Sequence, residues 1–208
     1  MAGHDTNGRW ICVDGVEGTG KTTIADHLTR ALPIQLAPEF SDAAFGRALR
    51  SAVTSSPHYI SSSPLGQSLV FVGDFLEVHA SSVAPRLGTG VSVVSDRGYL
   101  TKYSYQEVVL SRTIDVLAAR RLLDEIFAHL APPTLTLHLT APESCVRHRL
   151  LSRDGHCDGA RIEFIRQAAI AADQYLARTT ALESVTIDTD RPLDDVLDQI
   201  TDIVRRCI

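Results

Sequence analysis

The segment Gly15-Val16-Glu17-Gly18-Thr19-Gly20-Lys21-Thr22 satisfies the spacing GxxxxGK[ST] without a gap, and it constrains the fold more than any other stretch. A short apolar run over 10–14 leads into it. Residues 22–32 follow with apolar positions at helical spacing (Ile24, Leu28, Leu32), stopped by Pro33. Strand, glycine turn and helix in that order allow backbone N–H groups to turn inward around phosphate oxygens, backed by the positive end of the helix. Lys21 would then reach β- and γ-phosphates, and the Thr22 hydroxyl would ligate Mg²⁺. Gly15, Glu17, Gly18, Thr19, Gly20 and Thr23 complete the expected nucleotide site, with ATP and Mg²⁺ as the expected cofactors. A chance glycine-rich turn would lack the flanking strand and helix.

The rest of the chain repeats the alternation. Strands are expected over 34–37, 91–95, 135–139 and 184–187. Helices are expected over 43–53, 65–87, 114–130, 142–153, 161–178 and 193–206, that over 65–87 being long, continuous and largely apolar. Such an order predicts an α/β fold, a five-stranded parallel sheet with helices on both faces and ligands at the carboxyl ends of the strands. Residues 1–208 read as one domain with a lid over about 149–160.

Composition narrows the partners. A net charge of −5 argues against a broad nucleic-acid-binding face. The four cysteines (Cys12, Cys145, Cys157, Cys207) form no CxxC pair, and the polar first residues lead straight into a strand, so a cytoplasmic protein without a signal peptide is expected. No apolar run approaches the ~20 residues of a membrane span. The eight histidines form no HxH or HExxH pattern, which speaks against a transition-metal site. A Ser/Pro-rich stretch over 54–64 is the nearest to a loose loop.

Two further groups carry chemistry. Asp96 and Arg97 end the third strand, where a carboxylate could hold Mg²⁺ and a guanidinium an anionic group of a second substrate; a solvated turn pair is the plainer reading. In Arg147-His148-Arg149-Leu150-Leu151-Ser152-Arg153, at least Arg149 and Arg153 share a helical face before a glycine-containing loop. Arginines on a mobile lid neutralise charge in phosphoryl transfer and exclude water; alone, they could equally be a solvated face.

Together these residues resemble the thymidylate kinase family of P-loop nucleotide kinases. The opening Val13-Asp14-Gly15 into the phosphate loop looks like that family's start, with Asp14 where a Glu is usual and Glu17 at its in-loop acidic position. Asp96-Arg97 followed by Tyr105-Gln106 resembles its Asp-Arg motif and Tyr-Gln pair, and the segment 187–196 resembles its closing strand and turn near the adenine. Two departures stand out: Pro38-Glu39-Phe40 where the family has Arg-Glu-Pro, and Gly73-Asp74-Phe75 where it has Ala-Asp-Arg. Both missing arginines normally help bind the acceptor's phosphate; Arg47 or Arg50 could compensate.

The resemblance implies transfer of the ATP γ-phosphoryl group to a nucleoside monophosphate, thymidylate first. Lys21, Asp96, Arg97, Glu39, Arg149 and Arg153 would be catalytic, with Thr22 and Asp96 at the metal. Glu39, Phe71, Phe75, Arg97, Tyr105 and Gln106 would line the acceptor site, with the default for Phe71 being core. The lost arginines open a second reading, since deoxynucleoside kinases keep a Glu after the second strand as base on a sugar hydroxyl, where Glu39 stands. A non-catalytic ATP-binding regulator is the third. A homodimer packed around the long apolar helix is the expected assembly, and no membrane partner is expected.

Overall fold

The computed structural model describes residues 7–55 and 61–208, so the polar start of the chain and much of the loop expected over 54–64 lie outside the described residues. The elements run β1 (Trp10–Gly15), α1 (Lys21–Ala31), β2 (Ile34–Ala37), α2 (Ala44–Ser55), α3 (Pro64–Val78), a π turn (His79–Val83), α4 (Ala84–Gly88) and β3 (Ser92–Asp96). They continue with α5 (Tyr99–Leu110), α6 (Val116–Phe127), β4 (Leu135–Thr140), α7 (Glu143–Asp154), α8 (Gly159–Arg178), β5 (Ser184–Asp188) and α9 (Leu193–Arg205).

All pairings are parallel, in the order β2-β3-β1-β4-β5. The central strand β1 is buried along its whole length, as a strand covered on both faces must be. Alternation sorts its side chains: Trp10 and Cys12 join Phe75, Tyr103 and Phe127 on one face, while Ile11 and Val13 join Ile24, Leu28, Ile200 and Val204 on the other. Helices α1 and α9 therefore cover one face, and α3, α5, α6 and α8 the other. Because β1 lies between β3 and β4, its carboxyl end opens at the point where the chain turns to opposite sides of the sheet, the place such sheets bind ligands.

Two elements depart from expectation. The helix expected over 65–87 is interrupted at 79–83, because Pro85 cannot donate and its ring crowds the carbonyl one turn earlier; the widened turn absorbs both effects. Helix α5 was not expected at all. Eleven of its twelve residues are buried, so it has no polar stripe for a periodicity argument to find. It forms by packing, each fully buried Leu contributing about 1.5–3 kcal/mol. Its first turn is held by Asp14 of β1, whose carboxylate accepts from the N–H groups of Leu100 (3.1 Å) and Thr101 (3.0 Å).

Candidate active site

The loop between β1 and α1 follows from local sterics. Gly15 has φ 144°, and a Cβ there would lie 2.5 Å from the Leu139 carbonyl oxygen. No side chain caps α1 behind Gly20, so its first N–H groups stay available to a ligand. Lys21 is buried and donates to the Val16 carbonyl at 2.7 Å; the Thr19 hydroxyl donates to the same oxygen at 2.8 Å. Burial, reinforced by the nearby Arg97, pushes the Lys21 ammonium down to about 8.

The Asp96-Arg97 turn meets this loop. The Thr22 hydroxyl donates to Asp96 Oδ2 at 2.5 Å, which puts the two expected metal-binding groups side by side. One hydroxyl and one carboxylate suit Mg²⁺, which takes few protein ligands and fills the rest with phosphate and water; no cluster of three metal-binding side chains occurs among the described residues. Arg97 sits at φ 65°, a strained position for a residue with a Cβ. Its guanidinium reaches Glu39 (3.2 Å) and Asp96 (3.5 Å).

Arginines of α7 and α8 converge on the loop. Arg149 donates to the carbonyls of Gly18 (3.1 Å) and Thr189 (2.7 Å) and to the Thr189 hydroxyl. Arg153 donates to Glu17 (3.0 Å) and to Asp154, whose carboxyl is drawn down to about 2 chiefly by Arg153. Arg147 points outward to Glu143, so only part of that run faces the site.

Two cavities adjoin here. The first, of about 380 Å³, is lined by Gly18, Gly20, Lys21, Thr22, Thr23, Arg97, Arg149, Leu150 and Arg153. An extension under Thr19 and Thr23 runs between Arg149 and Arg191 towards Val196. The second, of about 240 Å³, is lined by Glu17, Glu39, Phe40, Val53, Phe71, Arg97, Thr101, Lys102, Tyr105, Gln106 and Arg153. Arg97 and Arg153 belong to both.

Most of the expected residues are thus brought together, with corrections. Phe71 lines the second cavity instead of the core, but Phe75 does not line it: one helical turn on, it packs on Trp10 (ring centroids 6.3 Å) and Phe127 (5.8 Å), 4% exposed. Neither Arg47 nor Arg50 lines the cavity: Arg47 donates to the Asp42 carbonyl and Arg50 to that of Phe40. Asp74 holds the loop that carries Glu39 and Phe40, accepting from the hydroxyl (2.5 Å) and N–H of Ser41.

Three residues escaped the sequence reading. Thr101 accepts from the Gly15 N–H, Lys102 lines the second cavity, and Arg161 pairs with Glu17. The spacing of Lys102 and Gln106, one turn apart, was the available signal for the second; Asp158 capping the turn that holds Arg161 was that for the third.

Comparison with known proteins converges on one group. The sequence profile described as thymidylate kinase matches residues 13–200. The chain is 30% identical to a thymidylate kinase of Dichelobacter nodosus over 93% of this chain and 95% of that one. It is 30% identical to a thymidylate kinase of Prochlorococcus marinus over 78% and 79%. It is 27% identical to a probable thymidylate kinase of Archaeoglobus fulgidus over 93% of each.

Proposed function

The chain belongs to the thymidylate kinase family, and from that premise we propose that it transfers the γ-phosphoryl group of ATP to the phosphate of thymidylate or a close analogue. The carrying observation is that Arg97 and Arg153 line both cavities, so a group passing between them stays in contact with two guanidinium ions. Triphosphate lies along Lys21 and the loop, with its base towards Arg191 and Val196. The monophosphate lies in the second cavity, phosphate towards Arg97. Bound Mg²⁺, held by Thr22 and Asp96, would supply charge neutralisation between the β- and γ-phosphates. Arg149 and Arg153 hold the donor while charge spreads over the transferring group, so acceleration comes from positioning and fixed charge.

Glu39 orients Arg97 in this reading. A phosphate acceptor is already ionised and needs no base, whereas a sugar hydroxyl would. The four unpaired cysteines fit a reducing, cytoplasmic setting. A homodimer is favoured by α3, which leaves Leu65 (43%), Leu69 (50%) and Val70 (44%) exposed. Sedimentation of the wild type beside Leu69→Glu tests that assembly: a dimer that the charge splits supports it, and a monomer in both rejects it.

The decisive assay is ADP release with ATP and Mg²⁺ against nucleosides and their monophosphates, with Lys21→Ala as blank. Turnover on thymidylate and none on thymidine is expected. Turnover on free nucleosides alone would overturn the reading and make Glu39 the base.

A further inference from the structure

Helix α5 presents two neighbouring columns to the site. Thr101 and Tyr105 bear on the phosphate loop: Gly15 N–H donates to the Thr101 hydroxyl (3.1 Å) and Glu17 N–H to the Tyr105 oxygen (3.0 Å). Lys102 and Gln106 lie about 100° further round the helix and share their cavity with Phe40, Phe71 and Val53. Lys102 sits against the aromatic part of that cavity, over the Phe40 ring, which in turn packs on Phe71.

Among the described residues neither the Lys102 ammonium nor Gln106 Oε1 has a hydrogen-bond partner, although Lys102 does feel the charge of Glu39. Lys102 is 7% exposed and makes no hydrogen bond among the described residues; its ammonium lies 4.9 Å from the centre of the Phe40 ring. Gln106 is 4% exposed, and its Oε1 is buried without a donor among the described residues. Native proteins rarely leave such groups unpaired unless a ligand completes them. A complementary ligand offers an acceptor to Lys102 and a donor to Gln106 side by side.

We propose that Lys102 sets the base preference of the acceptor site, donating to a ring carbonyl of a keto pyrimidine while Gln106 Oε1 accepts the adjacent imide N–H. This rests on the monophosphate-kinase reading above. The lysine decides and the glutamine does not, because an amide can turn over and exchange donor for acceptor, whereas an ammonium only donates. Cytosine would set its amino group against three N–H donors. Thymine and uracil set an oxygen there. Phe40 and Phe71, with ring centroids 6.4 Å apart, supply the flat apolar surround.

The test is Lys102→Met, which keeps length and removes the charge, with Lys102→Gln as a second variant that restores a neutral donor. Specificity constants for thymidylate and deoxycytidylate are measured, with inhibition constants for unphosphorylated thymidine. Lys102→Met should lower kcat/KM for thymidylate about 10- to 100-fold, the loss of one charge-assisted bond. It should leave or raise that for deoxycytidylate and weaken thymidine to the same degree as thymidylate. Lys102→Gln should recover part of the thymidylate rate. Equal losses on both nucleotides, no loss, or a loss on thymidylate with thymidine unchanged (a phosphate contact) would each overturn the proposal. Wild-type protein inactive on every monophosphate would instead remove the functional reading beneath it. A thermal midpoint at or above that of the wild type confirms that the Met variant is folded.

Discussion

Arg161 grips Glu17 with two nitrogens at once, Nη2 2.6 Å from Oε1 and Nε 3.0 Å from Oε2, joining the first turn of α8 to the phosphate loop. Both side chains are only about a tenth exposed (12% and 10%), so this pair is stronger than an ordinary surface bridge. Arg153 shares the same carboxylate. Glu17→Gln should therefore loosen both arginines together. Amide exchange at 154–161 should rise, and kcat/KM should fall about 10- to 100-fold, as for loss of a charged hydrogen bond. Unchanged exchange and rate would show that residues 154–161 are held by other contacts.

Lys21 makes a prediction about protons. Its ammonium is pushed down to about 8 in the free protein by burial, then by Arg97. A bound triphosphate favours the charged form and raises that value again. The sign follows: binding takes up almost no proton at pH 7 and close to one at pH 9. ATP affinity should be about tenfold weaker at pH 9 than at pH 7. Calorimetry in buffers of different ionisation heat reads the uptake directly; none at pH 9 would refute the shift.

Arg97 combines a charge that lines both cavities with an unfavourable backbone, at φ 65°. Arg97→Ala and Arg97→Gly both remove the guanidinium and should both abolish turnover. They should differ in stability, the glycine variant being about 1 kcal/mol more stable to urea because it tolerates that angle. Equal midpoints would mean the turn relaxes once the ion pair with Glu39 is gone.

Phe71 and Phe75 lie one turn apart on α3 and should answer differently to truncation. Phe75→Ala should cost about 3–5 kcal/mol of stability, as for a large core side chain. The acceptor KM of its folded fraction should not change. Phe71→Ala should raise the acceptor KM severalfold with little loss of stability, since it borders the cavity. Steady-state kinetics beside denaturant curves separates the two.

Neighbouring substitutions also test the close approach at Gly98, where a Cβ would fall 2.2 Å from Cys12 Sγ and 2.5 Å from Cys12 Cβ, which the strand backbone fixes. Gly98→Ala should be destabilised by more than about 2 kcal/mol in urea, because a contact that short cannot be relieved without moving β1. A variant of wild-type stability would show that the turn has room to shift.

What could be read beforehand divides along physical lines. The phosphate loop was legible because glycine spacing and a reactive lysine are local, and β1 because a short apolar run before a glycine turn has few other uses. Helix α5 was opaque for the opposite reason: buried on every side, it carries no contrast between faces. Lys102 was hidden with it, since a lone lysine in an unassigned stretch reads as surface. Phe75 resembled a pocket residue by position, yet its neighbours Trp10 and Phe127 come from distant parts of the chain, and only the packing of α3 against β1 and α6 decides between core and cavity. Arg161 needed the closure of α8 onto the loop, a tertiary contact spanning 144 positions.

Because Thr101 and Tyr105 hydrogen-bond the phosphate loop and line the second cavity together with Lys102 and Gln106, one stiff rod would, in the proposed reaction, set the gauge between the two reactants. Exchanging side chains on its outer column retunes what is accepted while the spacing to the triphosphate stays as it was. A change of appetite in this enzyme would therefore come without retooling its engine.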